Sequence, residues 1–389
     1  MNQMATPFES GPSAGDQTFP GRPPRIAAVF DTSVGYGSPQ LEYLTTSLAQ
    51  FYRADECWLI EPDVKGKRGL LEREGLKIRR TATRMPAHGE LHHIDYNIQN
   101  HRWLRDYDPD IVIVTSGSSL PAVLRLPRKP PLVIYYMLEN IEYQRSASGG
   151  SLIQLNRMFH PWIDLICVPE IDRAGFDLKW LGWETVPTLE LLNVSLERFS
   201  RPRAASDFRI LHAGSICEDT LSHYLADASK LAIKVDAFGI LATQAMRDLF
   251  VGLSGSSVAY RGVLTMSDLD AIYNDYAYSL VMWRPSNINQ IYASPNKFFQ
   301  SIARGVPPIA APHPQCARII RKYGCGILME DWTPAAFTAA LLRAQDLYGS
   351  SAYEAMVERC RAATEAELNW PAQFAKVEAF LHSRAGHAT

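Results

Sequence analysis

The chain has 389 residues, is 47% hydrophobic and carries 39 Lys plus Arg against 41 Asp plus Glu. That length exceeds one typical domain and supports two cores of about 150 to 200 residues each, while the near-neutral balance excludes the global basic field that nucleic-acid binding requires. The cysteines at 57, 167, 217, 316, 325 and 360 show no C-x-x-C spacing, which argues against a zinc site or disulfide framework and for a reducing compartment, the cytoplasm.

Residues 1–24 hold Pro7, Gly11, Pro12, Gly15, Pro20, Gly21, Pro23 and Pro24 without an apolar core, the composition of a disordered tail rather than a signal peptide. From Arg25 onward, short apolar runs alternate with stretches of helical period. Ile26 to Phe30, Cys57 to Ile60, Ile111 to Thr115, Leu132 to Tyr136 and Leu165 to Val168 read as buried parallel strands. A second series follows at Phe208 to His212, Lys234 to Phe238, Val258 to Arg261, Ser279 to Trp283, Val306 to Ala310 and Gly326 to Met329. Between the two, Thr188 to Asp207 turns polar and proline-bearing, a linker. The pattern predicts an α/β chain of two doubly wound, Rossmann-like domains over 25–200 and 201–365, with ligands in the crevice at the carboxyl ends of their strands. After Trp332 the chain is helical: Pro334 opens one helix, and Trp370-Pro371 opens a last one in 366–389. No apolar run approaches the roughly 20 residues of a membrane-spanning helix.

The stretch Ser294 to Ile309 predicts a short helix with Ser294 as N-cap, Pro295 at the first helical position and Gly305 as its left-handed stop. Free N–H groups near Asn296 and Lys297, the helix dipole and the Lys297 ammonium converge on one spot, which suits a diphosphate. Arg284, in the polar loop after Ser279 to Trp283, is a second cation for the same anion, and Asn287, Asn289 and Tyr292 add hydrogen-bonding groups.

With these features the chain resembles nucleotide-sugar glycosyltransferases of the GT-B fold, in the broad group that builds bacterial surface polysaccharides. Ser294 to Pro308 is similar to that group's "P-x-K, apolar pair, small residue, A-x-G-x-P" helix, and Gly324 to Leu328 to its "G-x-G-h-h" strand. Leu192 to Phe199, with Asn193, resembles its interdomain crossing, and Asn369-Trp370 the opening of its crossover helix. The resemblance implies two domains facing a cleft, with a nucleotide sugar, UDP- or GDP-linked, held by the C-terminal one and a glycan or lipid-linked acceptor by the N-terminal one. It implies donor contacts at Gly214, Ser215, Arg284, Tyr292, Ser294, Asn296, Lys297 and Gln300, with the base read near Val263 and Leu264. It also likens Thr32 to Ser38, with Gly35, Tyr36 and Gly37, to the acceptor-side loop. One departure bears on the chemistry: the glutamate pair of the largest retaining family is replaced by Tyr292 and Gln300.

Transfer from a nucleotide diphosphate requires a stabilised leaving group and a base for the acceptor hydroxyl. Cations and helix ends are expected to do the first without a metal ion or other cofactor. For the base, Glu139 leads, Glu142 is second and Asp31 third, all just past strand ends, and Glu170 occupies a similar position. Residues 65–84 hold eight cations against Glu72 and Glu74, a local excess suited to an anionic membrane surface and so to a cytoplasmic protein peripheral to the inner face of the plasma membrane. His88, His92 and His93 lack partners at metal-ligand spacing and read as surface residues. The competing readings are a sugar-nucleotide epimerase and a degenerate GT-B protein that binds its nucleotide sugar without turnover.

Overall fold

A computed structural model of the protein describes residue 19 and residues 22–34, 39–63, 76–85, 89–148, 150–196, 199–201 and 205–386. The chain forms two compact units. The first comprises Met1–Val168, Phe176–Leu189 and Phe374–Thr389; the second comprises Pro169–Gly175 and Glu190–Gln373.

In the first unit the strands are β1 (Ile26–Val29), β2 (Cys57–Pro62), β3 (Leu76–Thr81), β4 (Ile111–Thr115), β5 (Leu132–Tyr136), β6 (Leu165–Val168) and β7 (Thr188–Glu190), and the sheet runs β3-β2-β1-β4-β5-β6-β7. Ile26 of β1 is in parallel register with Cys57 of β2 on one side and Ile111 of β4 on the other. Every residue of β1, β4, β5 and β6 is buried, as a parallel sheet covered on both faces requires. The helix Glu90–Tyr107 is tied to this sheet by Tyr96, whose hydroxyl donates to the carbonyls of Phe30 at 2.6 Å and Ile60 at 3.1 Å.

Two strands escape the sequence pattern. Leu76–Thr81 reads Leu-Lys-Ile-Arg-Arg-Thr, too basic for a buried strand, but it is the sheet edge, where half its side chains reach solvent. There Lys77 pairs with Glu56, and Arg80 with Glu61 at 2.8 Å. The three-residue strand Thr188–Glu190 lies in the stretch read as linker. Of the N-terminal tail, Phe19 stands 5.2 Å from the Tyr52 ring and Arg22 pairs with Asp110 at 2.7 Å.

The second unit holds β8 (Arg209–Ala213), β9 (Lys234–Phe238), β10 (Val258–Gly262), β11 (Tyr278–Val281), β12 (Pro308–Ala310) and β13 (Ile327–Leu328), in the order β10-β9-β8-β11-β12-β13 with every pair parallel. Its core joins Ile210, Val235, Leu280, Ile309 and Ile327 to Phe337, Leu341 and Tyr353 of the covering helices. Thr333 caps the helix that Pro334 opens, accepting from the N–H of Ala336. The strand order reverses between β1 and β4 in one sheet and between β8 and β11 in the other. Loops diverge at such points and leave room for a ligand.

Candidate active site

The reversal in the second sheet is flanked by the turn after β8 and the loop after β11. Gly214 follows β8 with φ +114° and Gly239 follows β9 with φ +143°, conformations open to glycine and strained for other residues. A Cβ on Gly239 would come within 1.7 Å of the Gly214 carbonyl oxygen, so the two turns touch backbone to backbone. Gly214 N–H donates to Phe238 O at 3.0 Å, joining the first turn to β9, and Gly239 N–H donates to Gly262 O at 2.8 Å, joining the second to β10. Gly214 and Ser215 are exposed. A Cβ on Gly214 would point at the Lys297 Nζ, 3.7 Å away, so the missing side chain leaves open space in front of the ammonium.

Lys297 lies on the helix Asn296–Ala303, whose N-cap is Pro295 rather than Ser294; no side chain caps it, and the Ser294 hydroxyl is buried without a hydrogen-bond partner. The cap shifts because the Ser294 carbonyl is held instead by the Asn193 amide at 2.6 Å, which also brings the crossing segment to this helix. Gly305, at φ +64°, ends the helix, and a Cβ there would meet Phe199 and Arg201 at 2.9 Å. Lys297 is 9% exposed, and its Nζ has no hydrogen-bond partner. Burial lowers its pKa to about 8, against a small upward pull from Cys217. The surrounding histidines are neutral: burial and the lysine charge press His212 down to about 3 and His313 to about 4. A buried cation with no facing carboxylate is costly. What it lacks is an anion.

His313 was not among the expected site residues. Its Nε2 accepts from the Trp283 N–H at 3.2 Å and its Nδ1 donates to Ile291 O at 3.1 Å, so the ring closes both ends of the loop after β11. In that loop Arg284 is exposed and its backbone N–H donates to Asp219 O at 2.6 Å. Asn287 is occupied as a cap, accepting from Gln290 N–H at 3.0 Å, and Asn289 accepts from Arg173 at 2.9 Å. Tyr292, Asn296 and Gln300 are half-buried, and Gln300, three residues beyond Lys297, lies on the same side of the helix. Val263 is 63% exposed; Leu264 packs inward against Leu211, Phe238 and Tyr276. Two further exposed apolar residues follow the same turns, Ile240 after Gly239 and Tyr260 in β10, the latter donating its hydroxyl to Gly239 O at 2.8 Å.

In the first sheet the reversal is flanked by Asp31 after β1 and Ser116 after β4. Asp31 is half-buried, and its pKa is pushed up to about 6, first by burial and further by the charge of Glu139, against hydrogen bonds from Ser116 and Thr115. Ser116 holds φ +63°, rare for a non-glycine. Behind it, Gly117 N–H donates to Gln144 Oε1 at 2.6 Å, and a Cβ on Gly117 would collide with Asn156 at 2.1 Å. Glu139 and Glu142 are both exposed. Glu142 opens the helix Ile141–Ser148 and receives its backbone cap from Asn140 at 3.0 Å. Glu170, in the second unit, is fully buried, accepts from the Arg173 N–H at 2.5 Å and has its pKa pushed up to about 7 by burial. Gly35, Tyr36 and Gly37 lie outside the described residues, as do Lys65, Lys67, Arg68, Arg73 and His88. His92 is not at the surface: it is buried, stacked on Tyr96 and bonded to Thr83 at 2.8 Å.

Three D-x-D spacings, Asp106 to Asp108 and Asp108 to Asp110 in one run and Asp268 to Asp270 in another, have the form of metal-binding carboxylate pairs. None is assembled as one. Asp108 pairs with Arg25 at 2.8 Å and Asp110 with Arg22, while Asp268 accepts from Thr265 at 2.7 Å and Asp270 pairs with Arg304 at 3.4 Å. Among the described residues no group of three or more His, Cys, Asp or Glu is placed to hold a metal ion, and no helix is long and apolar enough to cross a membrane.

Comparison with solved structures decides the fold. Sucrose-phosphate synthase of Thermosynechococcus elongatus superposes with a TM-score of 0.70 at 13% identity, over 94% of this chain and 100% of that one. Anabaena HepE, solved with UDP and glucose, gives 0.71 at 12%, over 92% and 100%. Staphylococcus aureus TarM, solved with UDP and α-GlcNAc-glycerol, gives 0.66 at 8%, over 91% and 98%. The fold is GT-B. No family model and no curated protein matches the sequence. The GT-B architecture accounts for both sheets at once, each parallel and each with one reversal of strand order.

Proposed function

We propose that the protein is a glycosyltransferase that moves a sugar from a nucleoside diphosphate donor to a glycan or lipid-linked acceptor in cell-surface polysaccharide or glycolipid synthesis. The observation that carries this reading is the buried Lys297 ammonium, over the Trp283 ring but without a hydrogen bond or ion pair, facing the Gly214 turn where strand order reverses. The UDP complexes of HepE and TarM, proteins of the same fold, support it.

The residues divide the chemistry. As the acceptor oxygen bonds to the anomeric carbon, the bond from that carbon to the diphosphate breaks and its electron pair leaves with the phosphate, whose charge Lys297 and Arg284 stabilise. The N–H groups at the start of Asn296–Ala303 face the same anion, and the missing side chain of Gly214 leaves room for it. Asp31 is the base in this proposal, because a carboxylate with a pKa of about 6 is ionised at neutral pH and still a competent proton acceptor; Glu139 acts on it through its charge. Gln300 and Tyr292 hydrogen-bond donor hydroxyls where the related enzymes carry carboxylates. No metal is required, and the enzyme works peripherally at the cytoplasmic membrane face.

Radiolabelled UDP-, GDP- and dTDP-sugars with a membrane extract test the reading: incorporation of label into the extract is expected, and Lys297→Ala should weaken nucleotide diphosphate binding at least about tenfold, the value of a charge-assisted contact. Unchanged affinity would remove the assignment. The replacement of the glutamate pair by Tyr292 and Gln300 favours one second reading, a sugar-nucleotide sensor; binding without turnover under all three donors would select it.

A further inference from the structure

We propose that Gln144 is a positioning residue of the transfer reaction, its buried carboxamide tying the turn after β4 to the loop after β5 so that Ser116 and Glu139 are held together against Asp31. The proposal rests on the transferase reading with Asp31 as its base. Gln144 is the fourth residue of the helix Ile141–Ser148 and is 3% exposed. Its Oε1 accepts from the Gly117 N–H at 2.6 Å and from the Ser116 hydroxyl at 3.3 Å, while its Nε2 donates back to the carbonyl of Glu139. A carboxamide can do both, where an ionised carboxylate of the same length only accepts. Gly117 leaves the amide room, since a Cβ there would come within 2.8 Å of Oε1. The helix start is fixed separately: the Asn140 amide and the Ile141 N–H both donate to Asp177, at 2.6 and 3.1 Å. Gln144 therefore reaches out from an anchored turn.

The two ends of this amide govern the two groups that act on Asp31. Ser116 is the chief hydrogen-bond donor to it, and Glu139 is the like charge that faces it among the described residues. Tyr96, Tyr135 and Tyr143 also face this carboxyl, but burial pushes their phenols up, so they are neutral where Asp31 titrates. Removing the amide frees the loop that carries Glu139 and leaves the Gly117 N–H without its acceptor. A misplacement of about 1 Å at a reacting group costs up to about 100-fold in rate. The loss should fall on turnover and spare donor binding, which Lys297 and Arg284 of the second unit carry.

Carboxyl-carbon NMR of the ligand-free, full-length protein, with Asp31 assigned through Asp31→Asn, tests the coupling without reference to activity. Glu139→Gln is expected to lower the Asp31 pKa in the wild type and to leave it unmoved in Gln144→Leu and Gln144→Glu. The second variant keeps an acceptor for Gly117 and lacks the donor to Glu139, so it preserves the turn if the first does not fold. Both should lower kcat at least about tenfold with donor KM and UDP affinity unchanged. An equal shift in all three backgrounds, or none in the wild type, overturns the proposal. So does full kcat in both Gln144 variants, or a loss of UDP affinity as large as the loss of kcat, which would make the residue merely structural. Absence of transfer by the wild type, or full kcat in Asp31→Asn, would instead sink the reading beneath it, and the titration would still decide whether Gln144 couples Glu139 to Asp31.

Discussion

Lys297 is a charge held at a disadvantage. Its pKa of about 8 lies below the ordinary 10.5, so between those values the unfolded chain holds more protons and stability rises with pH; at pH 7 the buried ammonium costs the empty protein on the order of 3 kcal/mol. Lys297→Met should therefore raise the melting temperature of the ligand-free protein by a few degrees while abolishing UDP binding, and a fall in melting temperature would show that the ammonium has a partner. The same titration predicts that UDP affinity is flat below pH 8 and then weakens by up to about tenfold per unit, because binding must take up the missing proton. Asp31 runs the opposite way: raised to about 6 from 3.8, it favours the folded state when protonated and loses that contribution as pH rises through 6. As a base it must be ionised, so kcat/KM should climb through pH 6 to a plateau. Asp31→Asn should lower kcat about 100-fold or more without changing UDP affinity, and an unaltered kcat would return the role to Glu139. Lys297 was legible in the sequence because its helix is local: Pro295, Lys297 and Gly305 stand within eleven residues. The preference for Asp31 proposed above was not, since what raises it is its burial and then the charge of Glu139, about 100 residues away.

At the scale of elements, the buried strands announced themselves because both faces of a parallel sheet are covered and the residues read as continuous apolar runs. Leu76–Thr81 did not, since an edge strand bearing Lys77, Arg79 and Arg80 resembles a charged loop until Glu56 and Glu61 on its neighbours are in view. The glycine turns were legible only in part: Gly214 follows a predicted strand, but the need for Gly239 comes from Gly214 itself, reached across the sheet. A Cβ within 1.7 Å of a backbone oxygen, at φ +143°, leaves no room for adjustment by a side chain, so Gly239→Ala should destabilise the protein by more than about 4 kcal/mol and be measurable by urea unfolding. A cost below about 1 kcal/mol, the ordinary Gly-to-Ala range, would show that the two turns separate readily.

Across the whole molecule, identities of 8% to 13% accompany TM-scores of 0.66 to 0.71, so the chain shares with its structural neighbours an arrangement of strands rather than a set of residues. Function then depends on what each chain places at the two reversals of strand order. In the function proposed above the anion is held by a lysine beside two glycine turns, while the D-x-D aspartates are bound to arginine or threonine. That assignment predicts how the full protein responds to ligand. UDP at 100 times its Kd should add about 2.7 kcal/mol to stability, seen as a rise of a few degrees in melting temperature, and the rise should be the same with EDTA as with magnesium, because the neutralising cation is part of the chain. It should shrink as the pH passes 8 and vanish in Lys297→Met. A shift that appears only with a divalent ion would mean that the aspartates are released from their partners when the nucleotide binds, and that Lys297 shares the diphosphate with a metal.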